Sequence, residues 1–222
     1  MRVLKETWYL FQKELILEWR QKYAISGILL YVMSSTFVVY TAIGEKLQGM
    51  KVVWGALFWI IVVFASVNAI AKSFVQENTN RQLYYYTLCR PSAIILSKLI
   101  YNTILLSFIA LLAYAAFVIF LGNPVANQGL FLTCLFLGST GFSIAFTFIS
   151  AISAKANQNV VLMAILSFPI VLPILMLLMR LTKIVLGAMH DSSYATDIIT
   201  LLCIDVILLS LSCMLFPFLW RD

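Results

Sequence analysis

Apolar runs of about twenty residues, separated by polar breaks, set the pattern of this chain. A helix needs ~20 residues to cross about 30 Å of hydrocarbon. Six segments reach that length: 23–43, 52–71, 99–121, 130–153, 160–179 and 198–219. The longest polar interruption is 72–98, KSFVQENTNRQLYYYTLCRPSAIILSK, and the next is 180–197. Residues 1–22 follow another period. At about 100° per residue, Leu4, Trp8, Phe11, Leu15 and Trp19 share one stripe, and Arg2, Lys5, Glu6, Lys13 and Arg20 lie largely away from it. An apolar face with two tryptophans and a basic polar face suit a helix lying in the membrane interface. The other arrangement is a cytosolic helix packed on its own bundle. The expected fold is therefore all-α and polytopic. It comprises an interfacial amphipathic helix (1–22) and a six-helix transmembrane domain (23–222), with 72–98 as a cytoplasmic loop.

Composition and charge sharpen this picture. The chain is 63% hydrophobic and 11% charged, where a soluble domain carries about 25% charged residues. Its net charge of +6 is no nucleic-acid signature, because the basic residues are scattered between apolar segments. With a cytoplasmic N-terminus, eleven Lys and Arg fall in inside segments and four (Lys46, Lys51, Arg180, Lys183) in outside ones. That bias places both termini in the cytoplasm. Lys5, Glu6, Lys13 and Glu14 interrupt any signal-peptide apolar core.

Within the spans, Trp54, Trp59 and Trp220 lie near predicted ends, where amphipathic rings prefer the headgroup level. Gly138, Ser139, Gly141, Ser143 and Ala145 give the fourth span small residues for close helix contact. Pro169 and Pro173 must leave backbone groups of the fifth span in need of neighbouring protein or water, which makes that span a candidate for the interior. Asp205 is the one acid well inside a span, which marks it as a candidate functional group. The plainer role for it is a hydrogen bond to a Ser or Thr in the bundle interior.

No residues assemble into a catalytic set. GxSxG, HExxH and paired-cysteine motifs are absent, and no metal site is expected. His190 stands alone in a predicted external loop. Of the four cysteines, three lie in apolar segments, where a thiol behaves as a small hydrophobe. No GxxxxGK[ST] loop occurs, so ATP-driven work would need a nucleotide bound by another subunit.

Three stretches carry a family resemblance: FQKELILEWRQK (11–22), LYYYTLCRPSAIILSKLIYN (83–102) and FLGSTGFSIAFTFISAISAKANQNVVLMAILSFPIVLPILM (136–176). In order and spacing they resemble the ABC-2-type permeases, and more narrowly the heme exporter protein B family (CcmB) of bacterial cytochrome c maturation. Glu77 supplies the acid that family members often carry before the leucine-rich turn, but Asn78, Asn80 and Arg81 occupy the region of its glycine.

The resemblance implies a permease subunit of an ABC transporter in the bacterial inner membrane, coupling a separate subunit's ATP hydrolysis to heme export or to release of a heme-loaded chaperone. It implies an ABC ATPase, a heme-handling membrane protein, a small membrane subunit, a heme chaperone and a second copy of the chain as partners. Heme is expected as cargo, and no cofactor is expected to be bound directly. The contact with the ATPase would fall on Gln82, Leu83, Tyr84, Tyr85, Tyr86, Leu88, Arg90 and Pro91, with Arg90-Pro91 as the break between a docking helix and the next span. Two other functions compete: a passive membrane scaffold, and an ABC-2 permease for another lipid-like or hydrophobic substrate. An intramembrane enzyme would need a paired nucleophile and base, which the sequence does not offer.

Overall fold

In the computed structural model, which describes residues 2–20, 22–47, 50–75, 90–155, 160–189 and 194–221, each apolar segment forms one long helix. The helices are α1 (Arg2–Arg20), α2 (Lys22–Leu47), α3 (Lys51–Val75), α4 (Pro91–Leu121), α5 (Gln128–Lys155), α6 (Val160–Val185) and α7 (Tyr194–Arg221). The last six are long and apolar enough to span a membrane, and no strand occurs among the described residues.

Local chemistry sets the helix ends. Arg90 is extended (φ −72°, ψ 139°), as a residue before proline prefers, and Pro91 opens α4 with its ring already at a helical φ. Gly122, at φ 80°, ends α4 in a conformation that a side chain would resist. Asn127 Oδ1 accepts the Leu130 N–H at 3.1 Å and so caps α5. The Ala126 N–H donates to Val185 O at 3.1 Å, which ties the α4–α5 connection to the end of α6.

The centre of the bundle is α5, which packs against α3, α4, α6 and α7, while α2 lies outside on α3 and α4. Every residue from 141 to 151 is buried. The fourth span, not the fifth, is thus the interior one. Pro169 and Pro173 sit within α6 but on its exposed side. The buried side of α6 runs through Ser167, Val171, Ile174 and Leu178, a helical stripe that the prolines miss.

The small residues of α5 do allow close approach. A Cβ on Gly138 would lie 2.8 Å from the Trp59 ring, and one on Gly141 would lie 2.6 Å from Asp205 Oδ1. Trp59 and Trp54 therefore turn inward rather than toward headgroups. Trp59 Nε1 donates to Thr182 Oγ1 at 2.8 Å, so its one polar group is satisfied inside the bundle. Trp54 stacks on Phe58 at 5.7 Å and meets Phe117 edge-on at 5.3 Å. The side chains of Leu4, Trp19 and Trp220 lie outside the described part.

Gly138→Ala is expected to cost about 1–3 kcal/mol, because the Trp59 ring must shift to admit the methyl group. Gly27→Ala, where nothing lies within 4 Å, is expected to be neutral or to gain up to ~1 kcal/mol from helix propensity. Thermal unfolding midpoints of the two variants in the same detergent compare the costs directly.

Candidate functional site

The end of the bundle that carries the termini brings together the described part of the expected coupling segment and the interfacial helix. Of the coupling residues, Gln82, Leu83, Tyr84, Tyr85, Tyr86 and Leu88 lie outside the described residues; Arg90 and Pro91 lie within them. Arg90 is exposed, and its backbone N–H makes a long 3.5 Å contact with Glu6 Oε2 of α1. Two turns further along α4, Lys98 is only 2% exposed and its Nζ lies 3.5 Å from Glu14 Oε1. Glu14 Oε1 also lies 3.1 Å from Lys13 Nζ. A buried lysine would be costly without such a partner. Two contacts, one at the start of α4 and one two turns in, thus fasten α1 along the first turns of α4.

Apolar packing completes the joint. Leu10 of α1 belongs to a buried cluster with Ala93, Ile94, Ile95 and Leu99 of α4, Ile144 and Ala151 of α5, and Phe216 of α7. The face of α1 that docks therefore carries Thr7, Leu10 and Glu14. The neighbouring stripe is left uncovered: Trp8 is 58% exposed, Leu15 is exposed and Phe11 half-buried, with Trp8 and Phe11 rings 5.6 Å apart. An uncovered stripe with an anchored flank is compatible with a helix lying along the membrane surface.

Below this joint, a polar seam runs between α4 and α5. Asn102 Nδ2 donates to Thr147 Oγ1 at 2.8 Å, and Thr103 Oγ1 donates to Ser143 Oγ at 3.0 Å. The Ser143 hydroxyl also lies 3.4 Å from Leu99 O. One turn toward the other end, Thr140 Oγ1 lies 3.1 Å from Asp205 Oδ2 of α7 and 2.7 Å from Leu137 O. Asp205 is 6% exposed, so the plainer of its two expected roles has a concrete partner in Thr140. Asp205 Oδ1, Asn102 Oδ1 and Ser150 Oγ are buried with no hydrogen-bond partner among the described residues.

Other candidates separate from this end. At the far end, Arg180 Nε lies 3.1 Å from Asp197 Oδ2, joining α6 to α7. His190 and Cys89 lie outside the described residues, and no group of three His, Cys, Asp or Glu able to hold a metal occurs among those described. The Lys98–Glu14 pair was not foreseen. Apolarity alone starts the third span at residue 99, whereas Pro91 is the real helix-start signal and places Lys98 two turns inside.

The sequence model of the family described as CcmB protein matches residues 5–219. The chain belongs to the CcmB family. None of the curated proteins searched matches it. Membership makes the chain a multi-pass inner-membrane permease component of heme export in cytochrome c maturation. As in the family, it is a membrane permease subunit.

Glu14→Gln is expected to destabilise the protein by roughly 1–3 kcal/mol, because it replaces a charged partner of the buried Lys98 with a neutral amide. Adding Lys98→Met should restore most of that loss. A double-mutant cycle on unfolding midpoints checks this, and additive losses would show that the two side chains are not coupled.

Proposed function

We propose that this CcmB-family chain is the subunit through which ATP hydrolysis in a separate ATPase moves the membrane helices. Residues 72–98 act as the coupling element, and both termini lie in the cytoplasm. The observation that carries the reading is the attachment of the first turns of α4, which form the end of that segment. From Arg90 to Leu99 the helix is held by Glu6, Glu14 and Leu10 of α1 and packs into α5 and α7. A push on 72–98 therefore moves α1 and α4 as one unit against the buried seam with α5, the rigid-body route from local docking to helix movement. Eleven basic residues against four support the orientation.

The partners of this reading are the ATPase, a heme-handling membrane protein, a small membrane subunit and a heme chaperone. A second copy of the chain matches two ATPase sites. The work is mechanical: it moves heme outward or frees the heme-loaded chaperone. The single histidine, His190, lies between predicted spans, so the sequence places no histidine inside the membrane to ligate heme.

Tyr85→Ala, Leu88→Ala and Arg90→Ala test the coupling role in the assembled complex. The expected outcome is co-purification of all subunits with ATPase stimulation changed on the order of tenfold, the cost of one well-docked side chain. Heme staining of c-type cytochromes should show lost maturation. Disassembly, or unchanged maturation in all three variants, would favour a passive scaffold instead.

A further inference from the structure

At the end opposite the termini, α3 and α6 meet in a single register over two turns. They run in opposite directions, so Lys51, Gly55 and Trp59 of α3 come level with Leu186, Thr182 and Leu178 of α6. These levels cover about 12 Å of helix. At the first, Lys51 Nζ donates to Leu186 O at 3.2 Å. At the second, a Cβ on Gly55 would lie 2.7 Å from Thr182 Cγ2, so only glycine lets the helices come this close. At the third, the Trp59 indole donates to Thr182 Oγ1, which itself donates to Leu178 O at 2.6 Å. Trp59 and Leu178 then close together on Gly138 of α5, where a Cβ would stand 2.8 Å from the ring and 2.9 Å from Leu178 Cδ1.

Backbone bonds fasten the same end to its other neighbours. The Ala126 N–H, in the six-residue connection between α4 and α5, donates to Val185 O at 3.1 Å. With Leu186 O held by Lys51, two carbonyls left over where α6 stops are satisfied by other elements. The N–H groups of Leu186, Gly187 and Ala188 turn back onto α6 at 2.9–3.0 Å, and Gly187 takes φ 65° in that turn. The far ends of α3, α5 and α6 and the exit of α4 therefore form one knot. At the other end, α3 and α4 are connected through fifteen residues, 76–90, whose extended reach of about 50 Å lets those helix ends part.

Resting on the coupling reading above, we propose that this knot is the pivot of the moving bundle. A push on 72–98 swings the near end of α4, and the displacement is taken up at the α4–α5 seam. Meanwhile α3, α5 and α6 keep their contacts at Gly55, Trp59 and Gly138. Parting them there would leave the Trp59 N–H, which is 0% exposed, without its acceptor where water cannot replace it. It would also open gaps at two glycines that have no side chain to fill them. The knot thus confines movement to the end that carries the coupling segment.

Two cysteine pairs in the purified complex with its ATPase test this. A Cβ on Gly55 would lie 3.8 Å from Thr182 Cβ, the usual separation across a disulfide. Gly55→Cys with Thr182→Cys therefore clamps the pivot. Thr103→Cys with Ser143→Cys clamps the seam, where the two hydroxyls lie 3.0 Å apart. Each complex is oxidised with copper phenanthroline, the new disulfide is confirmed by peptide mapping, and ATP hydrolysis is compared with that of the same complex reduced. Closing the pivot bond is expected to leave hydrolysis unchanged, and closing the seam bond to abolish it. Loss of hydrolysis on closing the pivot bond would overturn the proposal. If neither bond alters hydrolysis, the coupling reading itself fails and the pivot falls with it. Should the first pair not accumulate or not close, hydrogen exchange on the unaltered complex decides. The Ala126 and Gly187 amides are expected to keep their protection during ATP turnover, and its loss there overturns the pivot.

Discussion

The close approach of α5 to its neighbours is the constraint on which the bundle depends. Inside a membrane, helices gain little by hiding apolar surface from one another, because lipid tails are equally apolar. What remains is tight packing and hydrogen bonding, and both need backbones near each other. Gly138 admits the Trp59 ring and Gly141 admits the Asp205 carboxyl, each at a separation that a methyl group would block. On one side α5 is therefore locked by an aromatic ring from α3, and on another by an acid from α7. The remaining helices arrange themselves around that fixed centre.

Much of this was legible in the chain, and the unread parts share one cause. The number of spans, the small-residue character of the fourth and the mixed faces of α1 follow from period and composition. Rotation about each helix axis does not, because the lipid-facing and core-facing sides are equally apolar. Trp54 and Trp59 were expected to be headgroup anchors, yet they turn inward. The prolines pointed to the fifth span as interior, yet they fall on its exposed side while Ser167, Val171, Ile174 and Leu178 pack inward. Polar residues carried more information. Asp205 was singled out from sequence, and its partner Thr140 follows once α5 and α7 are adjacent. The Lys98–Glu14 pair escaped because the eight residues 91–98 seemed to precede the third span, when Pro91 had already begun it.

The two interfaces of α5 differ in how they resist movement. Toward α3, its Phe131 meets Trp54 and Phe58 at 6.0 and 5.5 Å, and Trp59 stands edge-on to Phe58 at 5.3 Å. Such a contact is lost as a whole when the helices part. Toward α4 it meets a seam of hydroxyls and one amide, where Thr103 and Asn102 pair with Ser143 and Thr147. Interhelical hydrogen bonds of this kind contribute about 0.6 kcal/mol each in a membrane. Ser150 Oγ and Asn102 Oδ1 beside the seam are buried with no hydrogen-bond partner among the described residues.

The difference bears on how force entering at 72–98 would be carried in the proposed coupling. It arrives at Arg90, where α4 is strapped to α1, so these two helices take up displacement together. The seam with α5 is the compliant contact next in line, whereas the aromatic lock beyond it holds α3 and α5 as a unit. Relative motion is thus concentrated between the α1–α4 pair and the α3–α5 pair. The straps at Glu6 and Glu14 matter for the same reason. Without them, a push on α4 would be absorbed by sliding along α1 before it reached the bundle.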